Sequence, residues 1–132
     1  MRVAFASNDG ILLADSHFGD AKYFYIYEIN KEGYKFIEKR ENTTGEELEH
    51  GDERKARSIV SILRDVHVLV GYRMGPNVNR IKKHFLPIVS RHKRIERNIE
   101  ILNKNYNIIS ELYTKKNIVV IIELGSKLRI IY

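Results

Sequence analysis

The sequence predicts an α/β fold in which helices pack against a mixed β-sheet, and three observations support this class. Short apolar or alternating segments, which are typical of strands, fill most of the first 40 residues. Helical stripes then alternate with short apolar runs, which is the order expected of strands joined by helices. The chain has 132 residues, of which 43% are hydrophobic, so one domain with a compact core is expected.

The first part of the chain is predicted to form three strands. Residues 2–6 (RVAFA) are a short apolar run before Ser-Asn-Asp-Gly, which indicates a buried strand that ends in a turn. Residues 11–21 have neither a helical nor a strand period and are expected to be a loop. Residues 22–29 are aromatic and β-branched, and residues 34–40 alternate apolar with charged side chains. We expect these two segments to be strands of a hairpin that turns at residues 30–33.

The middle of the chain is expected to alternate helices with strands. After an acidic loop over residues 41–52, apolar residues recur at helical spacing from Glu53 onward. Residues 66–70 (VHVLV) are typical of a central strand that is buried on both faces. A turn over residues 71–76 then leads into a helix over residues 77–84, because proline is favoured at the start of a helix.

The last part is expected to contain a further strand, a long helix and a hairpin. Residues 85–89 form a strand that Pro87 would place near an edge of the sheet, because proline cannot donate to a ladder. One amphipathic helix is predicted over residues 93–113. Residues 117–124 and 128–132 are apolar segments around Gly-Ser-Lys, which indicates a hairpin. The sequence therefore predicts a five-stranded mixed sheet with an extra C-terminal β-hairpin.

The composition excludes several classes of protein. There is no cysteine, which excludes disulfides, thiolate catalysis, and zinc or iron–sulfur sites held by the chain's own thiolates. No run approaches the roughly 18–20 apolar residues of a membrane span, and the first residues do not resemble a signal peptide. A cytoplasmic location without membrane attachment is therefore expected.

Two loops are the candidate sites, because ligands of α/β sheets bind beyond the carboxyl ends of strands. The loop over residues 7–20 holds His17 among small and acidic residues, where an imidazole can be a general base, a metal ligand or a donor to an anion. It can equally be a histidine that only caps a turn. In the loop over residues 71–76, Gly71 and Gly75 precede a helix and favour either an anion site or only a tight turn.

The other histidines and the carboxylates give weaker signals. His50, in the acidic loop, is either a second metal ligand beside His17 or has no such role, and His67 is expected to be a satisfied core residue. A two-metal nuclease needs several acids at strand ends, but the central strands carry none, so an enzyme is not expected. The first loop holds three carboxylates, those of Asp9, Asp15 and Asp20.

The charge distribution raises a second hypothesis. The formal net charge is +6, and residues 72–97 contain eight Lys or Arg residues and one acid. Such a run is either a solvated face or a surface that faces an anion. A module that binds nucleic acid or another anion through residues 72–97 is therefore an alternative function. Few aromatic residues for base stacking lie in this run, so nucleic acid is not the expected partner.

Three stretches resemble the dinitrogenase iron–molybdenum cofactor biosynthesis domain: RVAFASNDG, DSHFGDAKYFYIYEI and EHGDERKARSIVSILRDVHVLVGYRMGPN. The pattern S-H-F-G-x-A-x-x-F-x-I-Y begins at Ser16, and the pattern G-x-x-M-G-P begins at Gly71. The resemblance covers residues 1–113. This domain is found in NifX/NafY-type carriers, at the C-terminus of NifB proteins, and as small proteins of archaea and anaerobic bacteria. A stand-alone, archaeal member is therefore expected.

The resemblance implies a ribonuclease-H-like three-layer sandwich without nuclease activity. It implies a non-enzymatic carrier that transiently binds an iron–molybdenum or iron–sulfur cluster, or its precursor, and passes it between donor and acceptor proteins. His17 is the implied cluster ligand. The cofactor-binding residues expected from the two motifs are Ser16, His17, Phe18, Gly19, Gly71, Arg73, Met74 and Gly75.

Three features depart from the family's pattern. The stretch EELEHGDE leaves only His50 where many stand-alone members have a His- and Gly-rich segment, and no cysteine can help to ligate a cluster. Residues 114–132 also extend beyond the domain over residues 1–113. We expect this hairpin to be paired, because an exposed Ile/Val-rich strand would be an aggregation hazard. It would either add strands to the sheet or mediate self-association as a homodimer.

Overall fold

The computed structural model describes residues 1–44 and 53–132 of the chain. Within these residues, seven strands form one mixed sheet and four α-helices pack against it, so the predicted α/β class is confirmed. The strands are β1 Arg2–Ser7, β2 Tyr23–Ile29, β3 Tyr34–Glu41, β4 Val68–Gly71, β5 Leu86–Ser90, β6 Val119–Ile122 and β7 Leu128–Ile131. The helices are α1 Glu53–Ile62, α2 Val78–Ile81, α3 Ile95–Lys104 and α4 Tyr106–Lys115.

The strands lie in the order β3-β2-β1-β4-β5-β6-β7. Strands β4, β5 and β6 each follow a helix, and they run parallel to β1 and to one another. β2, β3 and β7 are antiparallel to the strands that precede them in the chain. The carboxyl ends of the four parallel strands therefore lie together, and we call this the carboxyl end of the sheet.

Alternation along β1 divides the hydrophobic core into two layers. Val3 and Phe5 pack with the residues of α3 and α4, whereas Ala4 and Ala6 pack with those of α1 and α2. All four side chains are at most 1% exposed. The fold is therefore a three-layer sandwich with helices on both faces of the sheet.

The C-terminal hairpin belongs to the sheet. β6 pairs in parallel with residues Ile88, Val89 and Ser90 of β5, and Val120 and Ile122 of β6 are fully buried. The prediction that the hairpin is paired is confirmed. The hairpin adds two strands to the sheet, as one of the two expected alternatives had it, so the sheet has seven strands where five were predicted.

β5 is an inner strand, so the prediction that Pro87 places it near an edge is wrong. The backbone N–H of Leu86 donates to the carbonyl of His67, on the side of β4, at 3.0 Å. Since successive residues of a strand direct their N–H groups to opposite sides, position 87 faces β6. The ladder with β6 begins only at Ile88, so proline removes no donor that this ladder needs.

Two helices differ from the predicted ones. The predicted helix 93–113 is divided at Asn105, whose side-chain amide donates to the carbonyl of Ile101 at 2.8 Å and whose φ is −108°. The predicted helix 77–84 is reduced to α2, with Asn77 at its N-cap and turns after its end.

None of the helices formed by residues 1–44 and 53–132 is long and apolar enough to cross a membrane.

Ion pairs connect β1 and β3 to the segment that precedes β4. The Arg40 guanidinium binds both carboxylate oxygens of Asp65, each at 2.7 Å, and Arg2 binds the same carboxylate at 2.8 Å. The hydrogen bonds from Arg40 hold the pKa of the Asp65 carboxyl well below its ordinary value. The N-terminal ammonium group of Met1 pairs with Glu28.

His67 lies immediately before β4 and is half-buried. Its Nδ1 accepts a hydrogen bond from the backbone N–H of Arg2 at 3.0 Å, and its ring packs edge-on against Tyr113. Burial lowers the pKa of this imidazole. The structure therefore gives His67 the satisfied structural role that was predicted, at the start of the strand instead of within it.

Candidate functional site

The two candidate loops lie side by side at the carboxyl end of the sheet. β1 and β4 are parallel neighbours, so the loops that follow them leave the sheet at adjacent positions. The backbone N–H of Phe18 donates to the carbonyl of Arg73 at 2.8 Å, and His17 forms an isolated parallel bridge with Arg73. Backbone pairing therefore joins the two sequence motifs.

Phe18 anchors the first loop to the core. Its side chain is fully buried and stacks on Phe24, with ring centroids 5.0 Å apart. Gly71 leaves room for this ring, because a Cβ atom there would lie 3.3 Å from Phe18 Cδ2 and 3.2 Å from the carbonyl oxygen of Arg73. Phe18 and Gly71 thus hold the two loops together next to His17.

Gly75 holds the imidazole of His17 in place. Its φ of +83° is accessible to glycine and strained for residues with a Cβ atom. A Cβ atom at this position would lie 2.8 Å from both Cγ and Nδ1 of His17. The imidazole therefore packs directly against the Gly75 backbone, which explains why the second motif carries glycine here.

An ion pair that the sequence analysis did not identify lies beside His17. The Lys55 ammonium group, on a side chain that is 5% exposed, binds Oδ1 of Asp20. The other carboxylate oxygen, Oδ2, lies 4.0 Å from Nδ1 of His17. Helix α1 comes this close because residue 19 is glycine, where a Cβ atom would lie 2.9 Å from Ile59 Cδ1.

Only part of this ion pair could have been found in the sequence. Asp20 follows the H-F-G motif directly, and this position was a usable signal. Lys55 has no such signal, because a lysine in the first turn of an amphipathic helix is normally solvated. Its burial depends on where α1 lies relative to the first loop.

The residues around His17 form a shallow pocket with a volume of only about 10 Å³. Met74 lines it although its side chain is only 6% exposed, and Ser16 lies half-buried beside it, with its hydroxyl donating to the His17 carbonyl at 3.1 Å. Pockets that enclose a drug-sized ligand usually measure about 300–1,000 Å³, so a larger ligand would bind at the surface. The lining residues are His17, Gly19, Asp20, Lys55, Ile59, Met74, Pro76, Asn77 and Ile81.

The donor set around His17 suits a preassembled cluster better than a bare metal ion. The His17 side chain is 39% exposed. Among residues 1–44 and 53–132, no group of three or more His, Asp or Glu residues is placed to hold a metal ion. His50, the predicted second ligand, lies outside the described residues. A cluster that brings its own sulfides needs few protein ligands, and one imidazole can supply one of them.

Positive charge borders His17 on the side of the second loop. Arg73 is exposed, and the ammonium group of Lys93 pairs with Asp15. The hydrogen bond from Lys93, followed by the charges of Lys93 and Arg73, lowers the pKa of the Asp15 carboxyl. The Lys93 ammonium also lies 4.8 Å from the centroid of the Tyr72 ring. Arg73 is therefore an exposed cation on the loop that pairs with His17, whereas Lys93 is already paired with an acid.

The basic run over residues 72–97 does not form one surface. Lys82 and Lys83 precede β5 and lie at the amino end of the sheet, where Lys82 accepts a backbone hydrogen bond from Asn117. Arg97 pairs with Glu100 within α3. The members at the carboxyl end, which follow β4 and β5, are Arg73, Arg91, Lys93 and Arg94. The basic residues of this run are therefore divided between the two ends of the sheet and do not form one continuous face for a polyanion.

The three carboxylates of the first loop do not converge. Oδ1 of Asp9 accepts the backbone N–H groups of Ile11 and Leu12 at 2.8 and 2.9 Å, and these bonds lower the pKa of its carboxyl. Asp15 pairs with Lys93, and Asp20 pairs with Lys55. Each carboxylate has a separate local partner, so their positions do not favour a paired-metal site.

Comparison with known proteins agrees with the motifs. The family model for the dinitrogenase iron-molybdenum cofactor matches residues 1–105, which include both candidate loops. No curated protein matches the chain. The chain therefore belongs to the dinitrogenase iron–molybdenum cofactor family, as the resemblance predicted, and this membership points to a role in the biosynthesis or binding of that cofactor.

Proposed function

We propose that this member of the dinitrogenase iron–molybdenum cofactor family is a non-enzymatic carrier that binds the cofactor, or its iron–sulfur precursor, as cargo through His17. The observation that carries the proposal is the single imidazole that packs against Gly75 at the carboxyl end of the sheet and remains 39% exposed. An imidazole placed in this way can act as a ligand without further rearrangement of the chain.

The residues of the two motifs divide into two groups under this proposal. Ser16, His17 and Arg73 are accessible and would contact the cargo. The other motif residues are largely buried or are glycines that leave room for neighbours, so they would hold His17 in position. This second group consists of Phe18, Gly19, Gly71, Met74 and Gly75.

The shape of the site supports transient binding. The pocket beside His17 is too shallow to enclose a metal cluster, and the absence of cysteine in the chain limits the strength of ligation to the cluster. A cluster held mainly by one imidazole and nearby cations would stay accessible to a second protein. We therefore propose that a donor protein loads this surface and an acceptor protein removes the cargo from it.

The ribonuclease-H-like class implied by the resemblance is also a proposal. Its support is the order β3-β2-β1-β4-β5, in which β2 and β3 are antiparallel and β4 and β5 are parallel to β1. We assign residues 1–113 to this cofactor-binding domain and residues 114–132 to an extension of the same domain.

The test is anaerobic titration with an iron–sulfur cluster or cofactor precursor, followed by gel filtration and visible absorbance. Cluster should co-elute with the wild-type protein and be lost from His17→Ala. The matched control is His84→Ala, which removes an exposed imidazole at the other end of the sheet and should bind like the wild type. Equal binding by His17→Ala and the wild type would refute His17 as the ligand, and no binding by any variant would refute the carrier function.

A further inference from the structure

The two outer strands of the sheet differ in how they are protected against pairing with another chain. In β3, five of the eight residues are charged, and a register irregularity interrupts its ladder with β2. Lysines and bulges of this kind prevent edge-to-edge association. In β7, one of the four residues is charged, and its ladder with β6 is regular. β7 is therefore the open edge among the described residues.

Apolar side chains are exposed around this edge. The exposed fractions are 74% for Leu124, 44% for Ile131 and 81% for Tyr132. Ile131 pairs with Val119, which is itself only half-buried. Both residues lie on the face of the sheet against which α1 and α2 pack. The core on that face includes residues of β1, β2 and β4 but none of β6 or β7, so these helices do not cover the two residues. Exposed apolar area beside an unprotected strand is typical of a surface that binds another protein.

We propose that β7 pairs in antiparallel fashion with β7 of a second copy of this chain, about a two-fold axis through Ile130. A two-fold axis perpendicular to the sheet places the same face of both copies on the same side of the joined sheet. Residues that oppose each other across the new ladder therefore belong to the same face in both copies. With Ile130 at the axis, Arg129 opposes Ile131 of the second copy, and Leu128 opposes Tyr132. Like charges are not opposed in this register.

The neighbouring registers are less favourable, and the charges of β3 disfavour the same pairing there. A two-fold axis through Arg129 would place two arginines directly opposite each other, which is destabilising. In β3, an axis through Glu38, Lys39 or Arg40 would also oppose like charges. An axis through Phe36 of β3 opposes no like charges, but the irregularity at Ile37 then lies next to the axis. An axis through Ile131 of β7 pairs only residues 130–132, whereas the axis through Ile130 pairs residues 128–132 in a regular strand. This charge and register complementarity of β7 with itself supports a second copy as the occupant.

The dimer leaves the proposed cargo site accessible and does not depend on it. β7 is separated from β4 by β5 and β6, or roughly 14 Å at the usual strand spacing of about 4.8 Å. Because the two-fold pairing is antiparallel, the two His17 residues lie at opposite ends of the joined sheet. One strand edge is small compared with the roughly 800 Å² per partner of a standard interface, so we expect a dimer that dissociates on dilution.

The experiment is sedimentation equilibrium of the full chain at about 5 to 500 µM. We expect the mass to rise from 15.5 kDa towards twice that value with concentration. In Ile131→Lys, the new lysine opposes Arg129 of the second copy, so the dissociation constant should rise at least about tenfold. Adding Arg129→Gln should restore dimerisation, because lysine then opposes no cation and the amide of the glutamine can still donate to Glu123. The matched control is Phe36→Lys, which places a lysine at a position 49% exposed on β3.

Several outcomes would overturn the proposal. For the wild type, these are a measured mass that stays at 15.5 kDa at every concentration, or an assembly of more than two copies. For the variants, they are a dissociation constant of Ile131→Lys equal to that of the wild type, or a double variant that remains monomeric. Dissociation by Phe36→Lys would also overturn it, because the interface would then involve β3. Circular dichroism of each variant checks the fold, and amide exchange of residues 128–132 should slow with concentration in the wild type.

Discussion

Each end of the sheet places a histidine beside the adjacent strands β1 and β4, and the two histidines have opposite surroundings. At the amino end, His67 accepts a hydrogen bond from Arg2 and packs against Tyr113. At the carboxyl end, the imidazole of His17 makes no hydrogen bond with any residue in the described ranges, and Oδ2 of Asp20 lies 4.0 Å from its Nδ1.

The charged residues differ less between the two regions. Arg40 and Arg2 bind Asp65 before β4, and at the carboxyl end Lys93 binds Asp15 and Lys55 binds Asp20. Arg73, which follows β4, is exposed. The two regions therefore differ mainly in their histidines, because His67 has a hydrogen-bonding partner in the chain and the imidazole of His17 has none among the described residues.

The largest effect is expected from Gly75→Ala, which would disturb the packing of His17 at the carboxyl end of the sheet. The substitution combines a strained φ with a contact to the His17 ring, so the free energy of unfolding should fall by about 1–3 kcal/mol. Cluster binding should fall as well, because the imidazole must move. Denaturant unfolding measures the first effect and cluster titration the second.

The control is Gly125→Ala, in the turn between β6 and β7, where a Cβ atom would meet no atom within 4 Å. This variant should unfold within about 0.5 kcal/mol of the wild type. If Gly75→Ala were as stable as Gly125→Ala, the packing of His17 against Gly75 would not constrain the second loop.

A smaller loss is expected from His67→Phe, which keeps a ring against Tyr113 but removes the acceptor for the backbone N–H of Arg2. An unsatisfied, partly buried donor should lower the free energy of unfolding by about 1–2 kcal/mol. His17→Ala should change it by less than about 0.5 kcal/mol, because no such hydrogen bond is lost. Equal losses in these two variants would contradict the contrast between the two ends.

The same histidine predicts a pH dependence of stability. The unfolded imidazole titrates near pH 6.5, whereas burial lowers the pKa of His67 in the folded chain. Below about pH 6.5 the unfolded chain binds a proton that the folded chain does not, so the free energy of unfolding should fall as the pH falls. Asp65 acts in the same direction only near pH 4. Denaturant midpoints from pH 8 to pH 5 should decline in the wild type and stay flatter in His67→Phe.

The smallest effect is expected at the ion pair of Asp15 and Lys93 near the carboxyl end. Both side chains are largely exposed, so Asp15→Asn should leave the denaturant midpoint unchanged at physiological salt. Because a negative charge near Arg73 is removed, affinity for an anionic cluster should rise slightly, and more so at low salt. Weaker cluster binding by this variant would indicate that Asp15 positions the loop.

Much of the architecture could be predicted from local patterns. The alternation of helices with short apolar runs predicted parallel strands, and the order of elements placed both loops at strand ends, where the structure has them. Two errors came from reading residues locally. Pro87 is tolerated in an inner strand because the ladder between β5 and β6 begins one residue later, at Ile88. Asn105 divides the predicted long helix, and its side-chain amide donates to the carbonyl of Ile101.

The site shows the same division. The candidate residues of the site could be chosen from the sequence, because the two motifs, the glycines and the lack of cysteine are properties of composition and spacing. Only the tertiary structure decided that Gly75 lies under the imidazole of His17, that Lys55 is buried against Asp20, and that the basic run is split between two ends of the sheet. The physical reason is that these contacts join segments far apart in the chain, and their distances depend on strand order and helix position, which no local pattern encodes.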